Sequence, residues 1–306
     1  MPERIRRVGL VVHSGREEAV DAAGKVLAWF RERGVETSCL EGEPIEADLH
    51  LPPEAFAEGL DLVLSVGGDG TLLRAAHVAY RADAPLVGVK VGRLGFLTEV
   101  DPDEAPDLLA QVLEGKMVID ERTALVAEPS GAPWTEPQWA LNEVIVEKRA
   151  RHRLITLRAM IADEDVTTFS ADGVIVATPT GSTAYSFSAR GPIVSPKVGC
   201  FVLTPVSPHM VFDRSIVVAP EEGVALEVLG DEPGLLSADG RPGLELPIGA
   251  RIRIHRAERP VRLVRRPGSP SFFALLREKF SLPGEAPHAM GRHPTGNEGK
   301  AVRPGG

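Results

Sequence analysis

The chain has 306 residues, of which 43% are hydrophobic and 25% charged, and it carries a formal charge of -9. That balance excludes broad binding to nucleic acid or to an anionic membrane surface, while leaving room for a local basic pocket for phosphates. The length exceeds one typical core, so two domains are expected, and no stretch is long and apolar enough to span a bilayer. The cysteines, Cys39 and Cys200, lie outside any Cys-x-x-Cys motif and fit a reduced, cytoplasmic protein.

In chain order, residues 5–12 carry Val8, Leu10, Val11 and Val12 and read as a buried first strand. Residues 17–33 place Ala19, Val20, Ala23, Val26, Leu27 and Phe30 at helical spacing, with Gly34 as the stop. Strands are expected at 35–40, 61–66 and 86–89, and a helix at 71–81. Asp101-Pro102-Asp103-Glu104 reads as a capped helix start, with the helix running to about Leu113 and ending at Gly115. Strands alternating with helices predict a mostly parallel open sheet whose ligand sits at the carboxyl ends of the strands.

Near Met117 the rhythm changes to short strand-like runs separated by turns, at 117–128, 139–148, 154–162, 173–177, 201–206, 224–229 and 251–255. Helical spacing returns at 271–280 through Phe272, Leu275, Leu276 and Phe280. The expected fold is thus an α/β N-terminal domain plus a β-rich C-terminal domain inserted before a returning C-terminal helix. The boundaries read as 1–115 with 266–282 for the α/β domain, 116–265 for the β-rich domain, and 283–306 for a disordered tail rich in Pro, Gly and charge.

Two stretches carry chemistry. Leu62, Val63 and Leu64 lead into a turn where Gly67, Gly68 and Gly70 close around Asp69, and Thr71 opens an amphipathic segment. Glycines let a ligand approach the main chain, and N–H groups at a helix start hold phosphate oxygens. A carboxylate in such a cradle either meets a metal carried by the phosphates or takes a proton from an attacking hydroxyl. The second stretch, 172–192, is an apolar strand ending in a turn with Thr178, Thr180, Ser182 and Thr183. Hydroxyls of this kind suit polyhydroxy or phosphate ligands, and Tyr185 offers a ring face to a base. The histidines form no ligand-spaced set, so no dedicated protein metal site is expected.

Together these motifs resemble the NAD kinase family. Gly67-Gly68-Asp69-Gly70-Thr71 looks like the family's first motif and Gly92-Arg93-Leu94-Gly95-Phe96-Leu97 like the loop that follows it. Asn142-Glu143 looks like its Asn-Glu pair, and 172–185 like its longest and most distinctive motif. Pro208-His209 and Asp239-Gly240 match shorter elements, and the resemblance runs from the first strand to Phe280. It implies transfer of a phosphoryl group from ATP or a related donor to the adenosine ribose 2′-hydroxyl of NAD, giving NADP. Mg²⁺ would arrive with the donor, and the enzyme would be a homodimer or homotetramer.

By that resemblance Asp69 is the catalytic base. Gly67, Gly68, Gly70 and Thr71 bind the donor phosphates, and Gly70 also faces NAD. Phe96, Asn142, Glu143, Asp172, Thr183, Ala184, Tyr185 and Ser188 join Asp69 in binding NAD, with Arg93, Arg190, His209 and Asp239 as further candidates. Arg93 and Arg190 depart from the family pattern by adding charge, Arg190 standing where many members have glycine. The Gly-Gly-Asp-Gly-Thr turn is also shared with lipid kinases, so a diacylglycerol-type kinase is the alternative activity, and a dinucleotide sensor without catalysis the non-enzymatic one.

Overall fold

The computed structural model describes residues 5–92 and 95–282; Arg93 and the tail at 283–306 lie outside the described residues. The first part alternates as expected: β1 (Arg7–Val12), α1 (Glu17–Arg31), β2 (Glu36–Leu40), β3 (Leu49–Leu51), β4 (Leu62–Gly67), α2 (Asp69–Ala82), β5 (Leu86–Lys90) and α3 (Ala105–Leu113). Short strands follow: β6 (Val118–Arg122), β7 (Leu125–Ser130), β8 (Gln138–Ala140), β9 (Glu143–Lys148), β10 (Ile155–Ile161), β11 (Glu164–Ala171) and β12 (Gly173–Ala177). After the single turn α4 (Tyr185–Ser188) come β13 (Phe201–Val206), β14 (Ile216–Val218), β15 (Val224–Leu229), β16 (Gly234–Ala238), β17 (Leu244–Leu246), β18 (Arg251–Arg256) and β19 (Val261–Arg265). The described chain ends on α5 (Phe272–Lys279).

The first sheet runs β3-β2-β1-β4-β5-β19-β6, parallel except for β6. In β1 the side chains of Val8, Leu10 and Val12 join the core that holds α1 and α3, while Val11 joins the opposite core with Leu72, Ala75 and Ala76 of α2. Helices thus cover both faces, and the strand order reverses between β1 and β4. Their carboxyl ends open a crevice there, the expected ligand position in such a sheet. The remaining strands form two antiparallel six-stranded sheets that share one apolar core, centred on residues such as Val144, Val176, Phe201 and Ile252.

The α/β domain, the β-rich domain and the returning helix are therefore present as expected; β3, β11, β14, β16 and β17 are strands beyond those expected, and three further differences are local. β6 and β19, at positions the sequence placed in the β-rich region, hydrogen-bond to each other and extend the first sheet. The chain thus returns as a strand before it returns as a helix. α2 starts at Asp69 rather than Thr71, so the carboxylate sits in the first helical turn. α3 starts at Ala105, because the Asp101 carboxylate is drawn to Lys90 (3.0 Å) and 101–104 closes a separate turn before Pro106 enters the helix.

Candidate active site

Two clefts meet at the start of α2. The first, about 500 Å³, lies at the carboxyl ends of β1 and β4 and is lined by Gly68, Gly70 and Thr71 together with His13, Arg16 and Arg74. Main-chain N–H groups of the first helical turn and two guanidiniums give it the character of an anion site. Gly67 stands behind this wall, where a Cβ would press on the Thr71 side chain. His13, Arg16 and Arg74 were not read from the sequence. The signal was present for His13 and Arg16, since a strand end at the point of order reversal is where a doubly wound sheet binds its ligand.

The second cleft, about 600 Å³, brings together Asp69, Phe96, Asn142, Thr183, Ala184 and Ser188, six of the residues expected to bind NAD. Asp69 is fixed from across the cleft: Phe96 N donates to Oδ2 at 2.9 Å and Leu97 N to Oδ1 at 3.2 Å. Gly95 is a steric requirement of this clamp, because a Cβ there would overlap the Asp69 carboxylate. Phe96 forms the apolar wall, with ring centroids of Phe272 and Phe280 at 6.0 and 6.4 Å. Lys279 lies 4.9 Å from the Phe96 ring, so α5 adds a cation as well as apolar cover to this cleft.

The Asn142–Glu143 pair is buried, as an inward-facing polar pair must be. Asp239 explains how: its carboxylate accepts from Leu141 N at 2.7 Å, Asn142 N at 2.8 Å and Glu143 N at 3.2 Å. Its place in the structure is thus beneath the pair. Burial and the neighbouring Asp239 push the Glu143 carboxyl up to about 8, partly opposed by the Tyr185 N–H. Burial raises Asp239 as well, against the pull of its three N–H donors and Arg241. Glu143 Oε2 is buried with no partner, leaving a carboxyl oxygen open to a ligand hydroxyl.

Elsewhere the expected residues divide. Tyr185 is exposed just beyond the second cleft, its phenol raised first by burial and then by Glu147, Asp172 and Glu143. Asp172 pairs with Lys148. Of the hydroxyl turn, Thr178 donates to Leu141 O (2.6 Å) and Ser182 to Pro179 O (2.7 Å), so these two hold the backbone instead of facing a ligand. Gly181 is needed at the same place because a Cβ would overlap the Asn142 carbonyl. Arg190 and His209 are exposed and outside the residues lining either cleft.

Comparison with known proteins gives the family. Residues 8–117 match the ATP-NAD kinase N-terminal domain and residues 141–266 the ATP-NAD kinase C-terminal domain. NAD kinase 2 of Streptomyces coelicolor is 38% identical over 289 residues, covering 92% of this chain and 96% of that one. NAD kinase of Heliobacterium modesticaldum is 39% identical over 281 residues, covering 89% and 98%. Among solved structures, yeast NADH kinase complexed with NADH superposes with a TM-score of 0.84 at 22% identity, over 94% of this chain and 90% of that one. The NAD kinase from Archaeoglobus fulgidus in complex with ATP gives 0.69 at 26%, over 90% and 97%. The chain belongs to the NAD kinase family.

Proposed function

We propose that the protein transfers a phosphoryl group from ATP to the adenosine ribose 2′-hydroxyl of NAD, and that Asp69 is the base. The observation that carries this reading is the position of Asp69 at the seam: its carboxylate lines one cleft while Gly68 and Gly70 on either side line the other. A ribose hydroxyl is a poor nucleophile. In the second cleft its proton passes to Asp69 as its oxygen bonds to the γ-phosphorus and the bond to the ADP oxygen breaks. Held by two N–H donors, the carboxylate needs little reorganisation at that moment. Asn142, Glu143 and Thr183 supply groups for the ribose hydroxyls, and Phe96 excludes water.

The first cleft faces the donor with N–H, hydroxyl and guanidinium groups, a set that suits phosphates already carrying Mg²⁺. The cation would neutralise charge on the transferring group. Family resemblance adds a cytoplasmic homodimer or homotetramer to the reading. Exposed Val211 and Val217 on the β-rich domain suit a face covered by a second copy. The test is a coupled assay for NADP with NAD, ATP and Mg²⁺, with parallel wells of NADH and of polyphosphate. NADP formation supports the reading; saturable NAD binding with no product from any donor would replace it with the sensor reading.

A further inference from the structure

A third cavity, about 290 Å³, lies between α2, the segment after β3 and the β-rich domain, and shares only Arg74 with the lining of the first cleft. Its walls are apolar and aromatic: Phe56, Leu73, Trp139, and His77 stacked on Trp139 with ring centroids 5.6 Å apart. Three guanidiniums join them, Arg74 and Arg81 on the rim and Arg241 half-buried.

The charge balance of this cavity is one-sided. Arg74 donates to Val12 O, Arg81 to Pro53 O and Glu54 O, and Arg241 to Ala238 O and Trp139 O, all main-chain carbonyls. Among the described residues none of the three has a carboxylate oxygen within 4.0 Å. The one acidic residue lining the cavity, Asp239, accepts three N–H groups from 141–143 and attracts Arg241, which leaves Arg74 and Arg81 without a counter-charge in the lining. His77 reports the field: burial first, then Arg241 and Arg81, hold its imidazole down at about 4. The Trp139 indole N–H is buried without an acceptor.

We propose that this cavity binds a flat aromatic anion, the ring packed against Trp139 and His77 and the carboxylate or phosphate held by Arg81 and Arg241. Aromatic walls contribute the apolar burial and the guanidiniums provide charge-assisted hydrogen bonds, the chemistry that selects such a ligand over an uncharged ring. Occupancy reaches the second cleft through two short links. Trp139 leads directly into Leu141 and Asn142, and Arg241 ties Trp139 O to the segment carrying Asp239, which holds the 141–143 main chain. A bound anion therefore shifts the affinity for NAD, a consequence that rests on the function proposed above.

The test uses the full chain with NADP and ADP at saturation, so that the two clefts are filled. Phenyl phosphate, benzoate and uncharged benzyl alcohol are titrated by calorimetry and by tryptophan fluorescence in a Trp29→Phe/Trp134→Phe background. Saturable binding of either anion, weakened about tenfold by Arg81→Gln, is expected, with benzyl alcohol binding no tighter than that variant binds the anion. The tighter of the two anions names the head group. No saturation by about 10 mM, an unchanged Kd in Arg81→Gln, or equal binding of benzyl alcohol would overturn the proposal. A shift in the KM for NAD caused by the anion in the wild type and absent in Arg81→Gln supports the coupling; an unmoved KM overturns it. A chain without NAD turnover would count against the proposed function, while the binding isotherms would still decide the site.

Discussion

Arg265 and Glu99, 166 residues apart in sequence, form a buried ion pair at 2.7 Å, their side chains 13% and 3% exposed. Arg265 also reaches Phe96 O and Leu97 O at 3.5 Å, the carbonyls of the two residues whose N–H groups hold Asp69. Its Nε lies 3.3 Å from Asp120, which binds Arg122, and Arg122 in turn reaches Thr180 Oγ1 at 3.4 Å. The β6–β19 extension of the first sheet thus braces the Asp69 clamp and the hydroxyl turn together. Replacing Arg265 by Met leaves Glu99 buried without its guanidinium, holding only the Arg266 N–H and the Ser269 hydroxyl, at a cost of up to about 3–5 kcal/mol. Chemical denaturation is expected to show that loss, with part of it recovered in the Arg265→Met/Glu99→Gln double variant. No recovery would mean the two residues are not energetically coupled.

The clamp itself makes a sharper claim. Asp69→Asn keeps an oxygen for one of the two N–H donors but cannot take a proton, so kcat is expected to fall by about 10²–10⁴ with NAD binding largely kept. Gly95→Ala leaves the carboxylate chemically intact and forces it from its seat. A kcat loss in Gly95→Ala with normal NAD affinity would show that position, and not only acidity, is required. Full activity in Asp69→Asn would remove Asp69 from the role of base, and full activity in Gly95→Ala would remove the requirement for its seat.

The parallel sheet and the Asp69 turn were legible because their signals are local: an apolar run, a glycine cluster, an amphipathic helix. What sequence pattern could not supply came from distant segments. Lys279 and Phe280 reach the second cleft only because β19 carries the chain back to the first sheet. The hydroxyls of Thr178 and Ser182 suggested ligand contacts by type alone, and only the folded turn shows their bonds going to Leu141 and Pro179. Asp239 had the same ambiguity; its three N–H donors come from 96–98 residues away.

Stability should depend on pH through Glu143. Its carboxyl, ordinarily near 4.5, is raised to about 8 in the folded chain by burial and by Asp239. Between those values the folded state holds a proton that the unfolded state has lost. Stability therefore falls as pH rises through this window, by up to about 1.4 kcal/mol per pH unit for one proton. Asp239, also raised, adds in the same direction. Denaturation midpoints between pH 5 and 8 should show this slope, and Glu143→Gln should flatten it. An unaltered slope in that variant would place the titration elsewhere.

Arg190 offers a test in which stability and binding separate. Its φ of +67° is left-handed, a conformation glycine adopts freely and a side chain does not. Its N–H closes the turn on Phe187 O at 2.9 Å, so the backbone there is set by the turn that follows α4. Removing the side chain relieves the strain, and Arg190→Gly is expected to raise stability by about 0.5–1 kcal/mol, seen as a higher Tm. Because Arg190 is exposed and lines neither cleft, the KM values for NAD and ATP should stay unchanged. A raised KM for either substrate would instead make the guanidinium a ligand contact and account for an arginine in a place that favours glycine.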